Sequence, residues 1–398
     1  MAPQERMAEV MRSSYGRLLS ILASQTGDIL IAEDALSDAF AKALIHWPND
    51  MPKNPEAWLL TVARNRLIDI KRRDKRIDFR DTLPEPPAPE REHTDIPDDR
   101  LKLMFVCAHP AIDTRMHTPL MLQTVLGLGS ELIARAYLLP HSTMAKRLVR
   151  AKQKIRDTAV AFQIPAKEDM PSRVSAVLEA IYGAFSQDWM GEGLFAEEAL
   201  FLATLLADLM PNDAEVLGLA ALIAFSLSRK DARIDGDQFL PLEDQDPTKW
   251  DVTLMVNASS YLGRAQSIGQ VGRFQLEAAI QSVHADRLHT GVTNWVALVH
   301  LHLGLSRVAP TVGSAVSYAA ALGKAGKAED ALRVLLEMDE TILVEFAPAQ
   351  ATLAYLWSEV GRPQDAVAAY DTAISLTPEP PLRRYLERKR NELRSQLL

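Results

Sequence analysis

Apolar residues recur at intervals of three and four along almost the whole chain, and sustained alternation is nearly absent. That period belongs to helices with one buried face, so the sequence predicts an all-α protein. In HSTMAKRLVRAKQKIRD (141–157), Met144, Leu148, Ala151 and Ile155 fall on one face of a helix, and Lys146, Arg147, Arg150 and Lys154 on the other. Ser142 is its predicted N-cap, after the break LLP. Just upstream, SELIARAY (130–137) predicts a shorter helix with Ser130 as its cap. A short helix, a tight turn and a longer basic helix form the pattern of a helix-turn-helix, whose second helix enters the major groove of DNA. The same pattern also fits a solvated helix on an interaction domain.

The periodicity is interrupted in a few places, and these set the predicted domains. An N-terminal helical unit covers residues 1–80. Within it, NPEAWLLTVA opens at Asn54 with a proline-containing helix start and an apolar stripe through Trp58, Leu59 and Val62. Residues 81–100, DTLPEPPAPEREHTDIPDDR, hold five prolines and seven acidic residues. Such a stretch buries too little apolar surface to fold alone and reads as a linker. A second small helical unit covers 101–165, PAKEDMP (165–171) breaks the chain again, and a long helical domain covers 171–398. In that last domain Gly326, Ala331 and Leu335 recur 35 residues later as Gly361, Ala366 and Tyr370, followed by Ala373 and Pro378. These are the offsets of a tetratricopeptide-like helix pair: a glycine turn, a small residue where helices meet, and a proline that ends the second helix. Such stacks usually serve as scaffolds and name no ligand.

Charge sharpens this picture. The chain has a formal net charge of -8, yet residues 1–160 are net +3 and residues 161–398 net -11. Six of the eleven residues from Lys146 to Arg156 are basic, and residues 64–80, RNRLIDIKRRDKRIDFR, hold eight basic residues against three acidic ones. Two basic helices on separate units suit a protein that holds DNA at two places, with phosphate contacts supplying affinity and a few base contacts supplying preference. At 398 residues the chain has room for two or three domains. Cys107 is the sole cysteine, which excludes an internal disulfide and a zinc ribbon. No apolar run reaches the length of a membrane span, and no secretory leader is recognised, so a cytoplasmic protein with no membrane partner is expected.

No enzyme signature survives inspection, and no cofactor or metal is expected. Cys107 and His109 lie two apart, so their side chains diverge, and a buried structural cysteine is the expectation. RIDGDQFLPLEDQD (233–246) gathers carboxylates without the spacing of a calcium loop and reads as a turn or short hairpin. His300 and His302 sit in an apolar run as core or surface histidines.

Taken in order, these segments resemble an extracytoplasmic-function (ECF) sigma factor, the specificity subunit of bacterial RNA polymerase. AEDALSDAFAKAL (32–44) resembles the helix that docks on the β′ clamp helices of core polymerase. NPEAWLLTVARNRLIDIKRR (54–73) resembles the segment that melts and reads the −10 promoter element. ARAYLLPHSTMAKRLVRAKQKIR (134–156) resembles the helix-turn-helix that reads the −35 element. LEDQDPTKWD (242–251) and the repeat-like tail resemble the subgroup with a tetratricopeptide-like C-terminal extension.

The resemblance implies an all-α fold with two small sigma-type domains followed by a helical-repeat extension, and a non-catalytic role: binding core RNA polymerase and promoter DNA. Glu33, Asp34 and Asp38 would contact polymerase with Phe40 packed beneath; Asp34 and Asp38 share a face, being four apart. Trp58, Arg64, Asn65, Arg66, Lys71, Arg72 and Arg73 would lie at the −10 DNA, although Trp58 also fits a core aromatic. The loop HWPNDMPKNP (46–55) is the expected base-contacting element, because extruded bases need pockets and stacking surfaces. Ser142, Thr143, Lys146, Arg147, Arg150 and Lys154 would lie at the −35 DNA. Leu132, Gln123 and the pair Thr118-Pro119 depart from the family pattern, the last predicting a helix start with an N1 proline. His141 either touches a phosphate or merely precedes the cap. Apart from the resemblance, the -11 balance of residues 161–398, tethered directly after the basic helix, predicts that the extension regulates the sigma half by contact, and an unknown protein partner of the extension stays an open alternative. The rival reading is a helical-repeat interaction scaffold with a degenerate sigma-like half.

Overall fold

The structure, a computed structural model, describes residues 3–48, 50–77, 98–166, 168–187 and 194–397. Most of the predicted linker, 81–97, therefore lies outside the described residues. The fold is all-α, and the short antiparallel hairpin of β1 (Ile234–Asp235) with β2 (Gln238–Phe239) falls where the carboxylate-rich segment predicts one. The chain divides into two compact units, Met1–Gln187 and Asp188–Leu398.

The first unit contains α1 (Pro3–Thr26), α2 (Ile29–His46), α3 (Pro55–Ile77), α4 (Asp99–Cys107), α5 (Thr114–Thr124), α6 (Ser130–Ala136), α7 (His141–Asp157) and α8 (Pro171–Gln187). Helices α1, α2 and α3 pack on one another. Asp28 caps α2 by accepting from the backbone N–H of Leu30 and Ile31, and Asn54 caps α3 through the N–H of Ala57, with Pro55 in its first turn. Glu56 ties α3 to α1, accepting from Ser14 Oγ at 2.7 Å and pairing with Arg17 at 3.1 Å.

The two small units read as separate in the sequence are packed together. Helix α4 lies against α1 on one side and against α5 and α8 on the other, so Leu101, Leu103, Met104, Phe105, Val106 and Cys107 are all buried. Six apolar residues in a nine-residue helix need cover on more than one face, and α1 supplies part of it. Gly16 of α1 sits so close to the end of α5 that a Cβ there would lie 1.7 Å from the carbonyl oxygen of Val125, so only glycine fits. The boundary also moves: α8 buries Val177, Leu178, Ile181 and Phe185 against this unit, which therefore ends at Gln187 rather than at the PAKEDMP break. Helix α5 starts at Thr114, capped by Asp113, which accepts from the N–H of Arg115. Pro119 thus lies inside the helix, not at its first position, because the aspartate cap sits five residues upstream of Thr118.

The second unit continues with α9 (Leu194–Leu209), α10 (Ala214–Leu227), the hairpin, α11 (Val252–Ser267), α12 (Arg273–Ala285), α13 (Arg287–Thr290), α14 (Trp295–Val308), α15 (Val312–Lys324), α16 (Ala328–Leu336), α17 (Glu340–Glu345), α18 (Ala347–Glu359), α19 (Pro363–Leu376) and α20 (Pro380–Gln396). The residues of the internal repeat hold equivalent places in two helical hairpins. Gly326 (φ 79°) turns α15 into α16 and Gly361 (φ 72°) turns α18 into α19, while Ala331 and Ala366 are fully buried where helices meet. Pro378 lies just past the end of α19.

In LEDQDPTKWD (242–251), Trp250 is buried beneath the guanidinium groups of Arg229 and Arg287, at 6.0 and 5.3 Å from its ring centroid. Arg287 also donates to the carbonyls of Leu242 and Gln245. Asp246 and Asp251 spend their carboxylates as caps, on the N–H of Thr248 and of Leu254. The segment is thereby a clamp that seats α11 against α10.

Burial together with the neighbouring cations of Arg229 and Arg287 lowers the pKa of His284 from the usual 6.5 to about 3, and burial lowers His302 to about 4. Both are neutral in the folded unit, whereas in the unfolded chain they take up protons below about pH 6.5. Stability is therefore full above that pH and is lost as pH falls towards the folded values. Thermal unfolding of the full chain should show a lower midpoint at about pH 5 than at about pH 7.5, and His302→Asn should shrink the difference. Equal pH sensitivity in that variant would count against this origin.

Candidate partner and nucleic-acid interface

Helix α7 divides as its periodicity predicts. Met144, Leu148, Ala151 and Ile155 are buried, and Lys146, Arg147, Arg150 and Lys154 are exposed on the other side. Its start differs from the expectation. The helix begins at His141 with Pro140 at the cap position and no side-chain cap, so Ser142 and Thr143 fall inside the first turn. Ser130 likewise caps nothing: Gly129 holds the cap position of α6, and Ser130 Oγ instead lies 2.9 Å from Nε2 of His141. That contact joins the two helices across the turn Tyr137–Pro140, where Leu138 takes φ 51° and is almost wholly exposed.

Lys152 breaks the division. Its side chain is only 5% exposed, and its ammonium donates to Glu33 Oε1 of α2 at 2.5 Å. Glu33 is itself 18% exposed and accepts from Tyr15 Oη at 3.4 Å; burial and this carboxylate push the Tyr15 phenol well above its usual range. One turn further along α7, Arg156 lies 3.7 Å from Asp28, the cap of α2. A shielded pair of this kind costs most when one partner is removed, because the other charge is left stranded. Sequence reasoning missed Lys152, although a signal was present: it stands four residues after Leu148, inside the apolar stripe rather than on the basic face.

The remaining predicted polymerase contacts lie along α2. Asp34 is exposed. Asp38 pairs with Arg66 of α3 at 2.6 Å, so a residue expected at the polymerase and one expected at the DNA hold each other. Phe40 is buried beneath the strip and stacks on Tyr15 with ring centroids 6.4 Å apart.

On α3, Arg64, Asn65 and Arg72 are exposed, and Arg64 also donates to Gln25. The side chains of Lys71 and Arg73 lie outside the described residues. Trp58 is half-buried: it packs edge-on against the buried Trp47 at 5.6 Å and faces His46 at 6.4 Å. Within the loop 46–55, Trp47 is core, Met51 and Pro52 are half-buried, Lys53 and Asn54 are exposed, and Asn49 lies outside the described residues.

Cys107 is fully buried beside Thr124 Oγ1 at 3.5 Å, and burial pushes its thiol up to about 12, which keeps it protonated and unreactive. His109 instead accepts from the N–H of Ala111 through Nδ1.

Residues 10–77, which span most of α1 and all of α2 and α3, match the Sigma-70 region 2 family. Residues 173–266 match a family of unknown function (DUF6596), a span that starts in α8 and ends near the close of α11. The chain is 32% identical over 364 residues to "Uncharacterized protein R00370" of Rhizobium meliloti (strain 1021), covering 87% of this chain and 86% of that protein. No solved structure matches. No helix among the described residues is long and apolar enough to cross a membrane. Sigma region 2 domains act on core RNA polymerase and promoter DNA and are in general not enzymes. The chain therefore belongs to the same family as the Rhizobium protein, and it carries a Sigma-70 region 2 domain, which points to a sigma-factor-like role in transcription initiation.

Proposed function

We propose that this protein is an alternative sigma factor of the ECF type that docks on the β′ clamp helices of core polymerase and directs it to a particular class of promoter. Asp34, Asp38 and Glu33 on α2 are the docking carboxylates, with Phe40 supporting them from below. Arg64, Asn65, Arg66, Lys71, Arg72 and Arg73 on α3 track the −10 DNA, and Trp58 divides its surface between the core and that DNA. The pair α6–α7 is a helix-turn-helix whose Ser142, Thr143, Lys146, Arg147, Arg150 and Lys154 meet the −35 element. The second unit is a tetratricopeptide-like regulatory extension with a protein partner of its own.

The observation that carries this reading is the exposed basic face of α7, opposite a face that is fully buried. Four cations held on one side of a single helix, in an otherwise acidic chain, fit a polyanion better than random solvated charge.

The test is run-off transcription with purified core polymerase and the wild-type protein, set beside Arg147→Ala with Arg150→Ala. Wild type is expected to initiate at a defined site. The double variant should lose upstream footprinting, and its log–log salt dependence should flatten by roughly one to two. Normal footprinting with an unchanged salt slope would make the basic face a solvated surface only.

A further inference from the structure

We infer that Lys152 and Glu33 form an autoinhibitory latch, in which the DNA-reading helix occupies one of the carboxylates that core polymerase needs. This rests on the sigma-factor reading above and adds a regulated step to it. Lys152 is the one basic residue of α7 turned into the protein rather than out to solvent, and its partner lies 119 positions away on α2. Tyr15 holds the same carboxylate oxygen from the α1 side. Arg156 makes a second contact along the seam, on the Asp28 that caps α2. Two cations of α7 are thus set against two carboxylates of α2.

Glu33 is only 18% exposed and its charge is already balanced by the ammonium of Lys152, so a basic group on a partner gains little from it until Lys152 withdraws. Docking through Glu33 and the seam between α7 and α2 therefore compete for one group. Polymerase binding is expected to free α7 from α2, and anything that loosens α7 is expected to ease polymerase binding. The apparent affinity is lowered by the fraction of protein that stays latched. The exposed basic face of α7 remains accessible in both states, so the latch governs where the helix is held and not whether its cations are exposed.

The experiment uses the full chain carrying fluorophores at Gln25→Cys, beside the start of α2, and Val149→Cys on α7, both exposed positions outside the assigned polymerase and DNA contacts; the native Cys107 is fully buried and takes no label. Energy transfer reports the seam, and titration with core polymerase reports docking. Lys152→Met is expected to lower transfer without polymerase and to tighten docking about 5- to 10-fold. Lys152→Arg, which keeps the charge, should leave both near wild type. Exchanging the pair as Glu33→Lys with Lys152→Glu should restore transfer while leaving docking weak, which separates loss of the latch from loss of folding. In the wild type, saturating polymerase should lower transfer. Docking with undiminished transfer, or Lys152→Met with neither quantity changed, overturns the latch while leaving the sigma-factor reading in place. Failure of the wild type to bind polymerase at all overturns both.

Discussion

Asp34→Lys together with Asp38→Lys is expected to abolish association with core polymerase while leaving helix content unchanged. Asp34 is exposed on α2 and Asp38 lies four residues on along the same face, so reversal sets two cations against the basic groups of the partner. Close charge pairs at protein interfaces carry about 1.5–7 kcal/mol of coupling, and two reversals should weaken binding by more than about 100-fold. Asp38 also neutralises Arg66, so the double variant disturbs the α2–α3 seam as well. The single variant Asp34→Lys, at an exposed position, isolates the docking effect. Co-purification of the double variant with polymerase at wild-type yield would remove α2 from the docking surface.

Removing the C-terminal unit is the second large perturbation, and the fold decides where to cut. A chain ending at residue 166, near the sequence break, would lack α8 and expose the faces of α4 and α5 that Val177, Leu178, Ile181 and Phe185 cover. Burial of each large apolar side chain is worth about 1.5–3 kcal/mol, so that fragment is expected to aggregate or to unfold without a sharp transition. A chain ending at Gln187 keeps the first unit whole. With the acidic second unit gone, promoter binding or transcription should change several-fold, and by less as salt screens the charge. Fragment 1–187 and the full chain are to be compared on one promoter across a salt series. Equal activity at every salt concentration would mean that the two units are merely joined.

The sequence was most legible where a single period governs. The apolar stripe of α7, the capped start of α3 and the glycine turns at 326 and 361 all report local geometry, and local geometry is written locally. The all-α class follows from the same source, because nearly every segment carries the helical period. What escaped depends on partners distant in the chain. Lys152 looked like one more surface cation until α2 closed over it. Ser130 had the chemistry of a cap, but His141, eleven residues later, claimed its hydroxyl. Helix α8 followed a proline-marked break and so read as the start of the next domain, although its apolar face is matched to α4 and α5. In each case the deciding contact is a specific partner on another helix, which a periodicity does not name; for Lys152 its place in the apolar stripe was the one local hint.

Helix α4 has a consequence for how the first unit can be rebuilt. Because its apolar surface is divided between α1 on one side and α5 and α8 on the other, the parts on either side of the acidic linker are not interchangeable modules. A hybrid made by joining the first three helices to the α4–α8 part of a relative would set a foreign α4 and a foreign α5 terminus against this α1. There the missing side chain of Gly16 leaves space for one particular backbone. On the function proposed above, promoter specificity would be transplanted by grafting the outward residues of α7 alone, which leaves every one of these contacts in place.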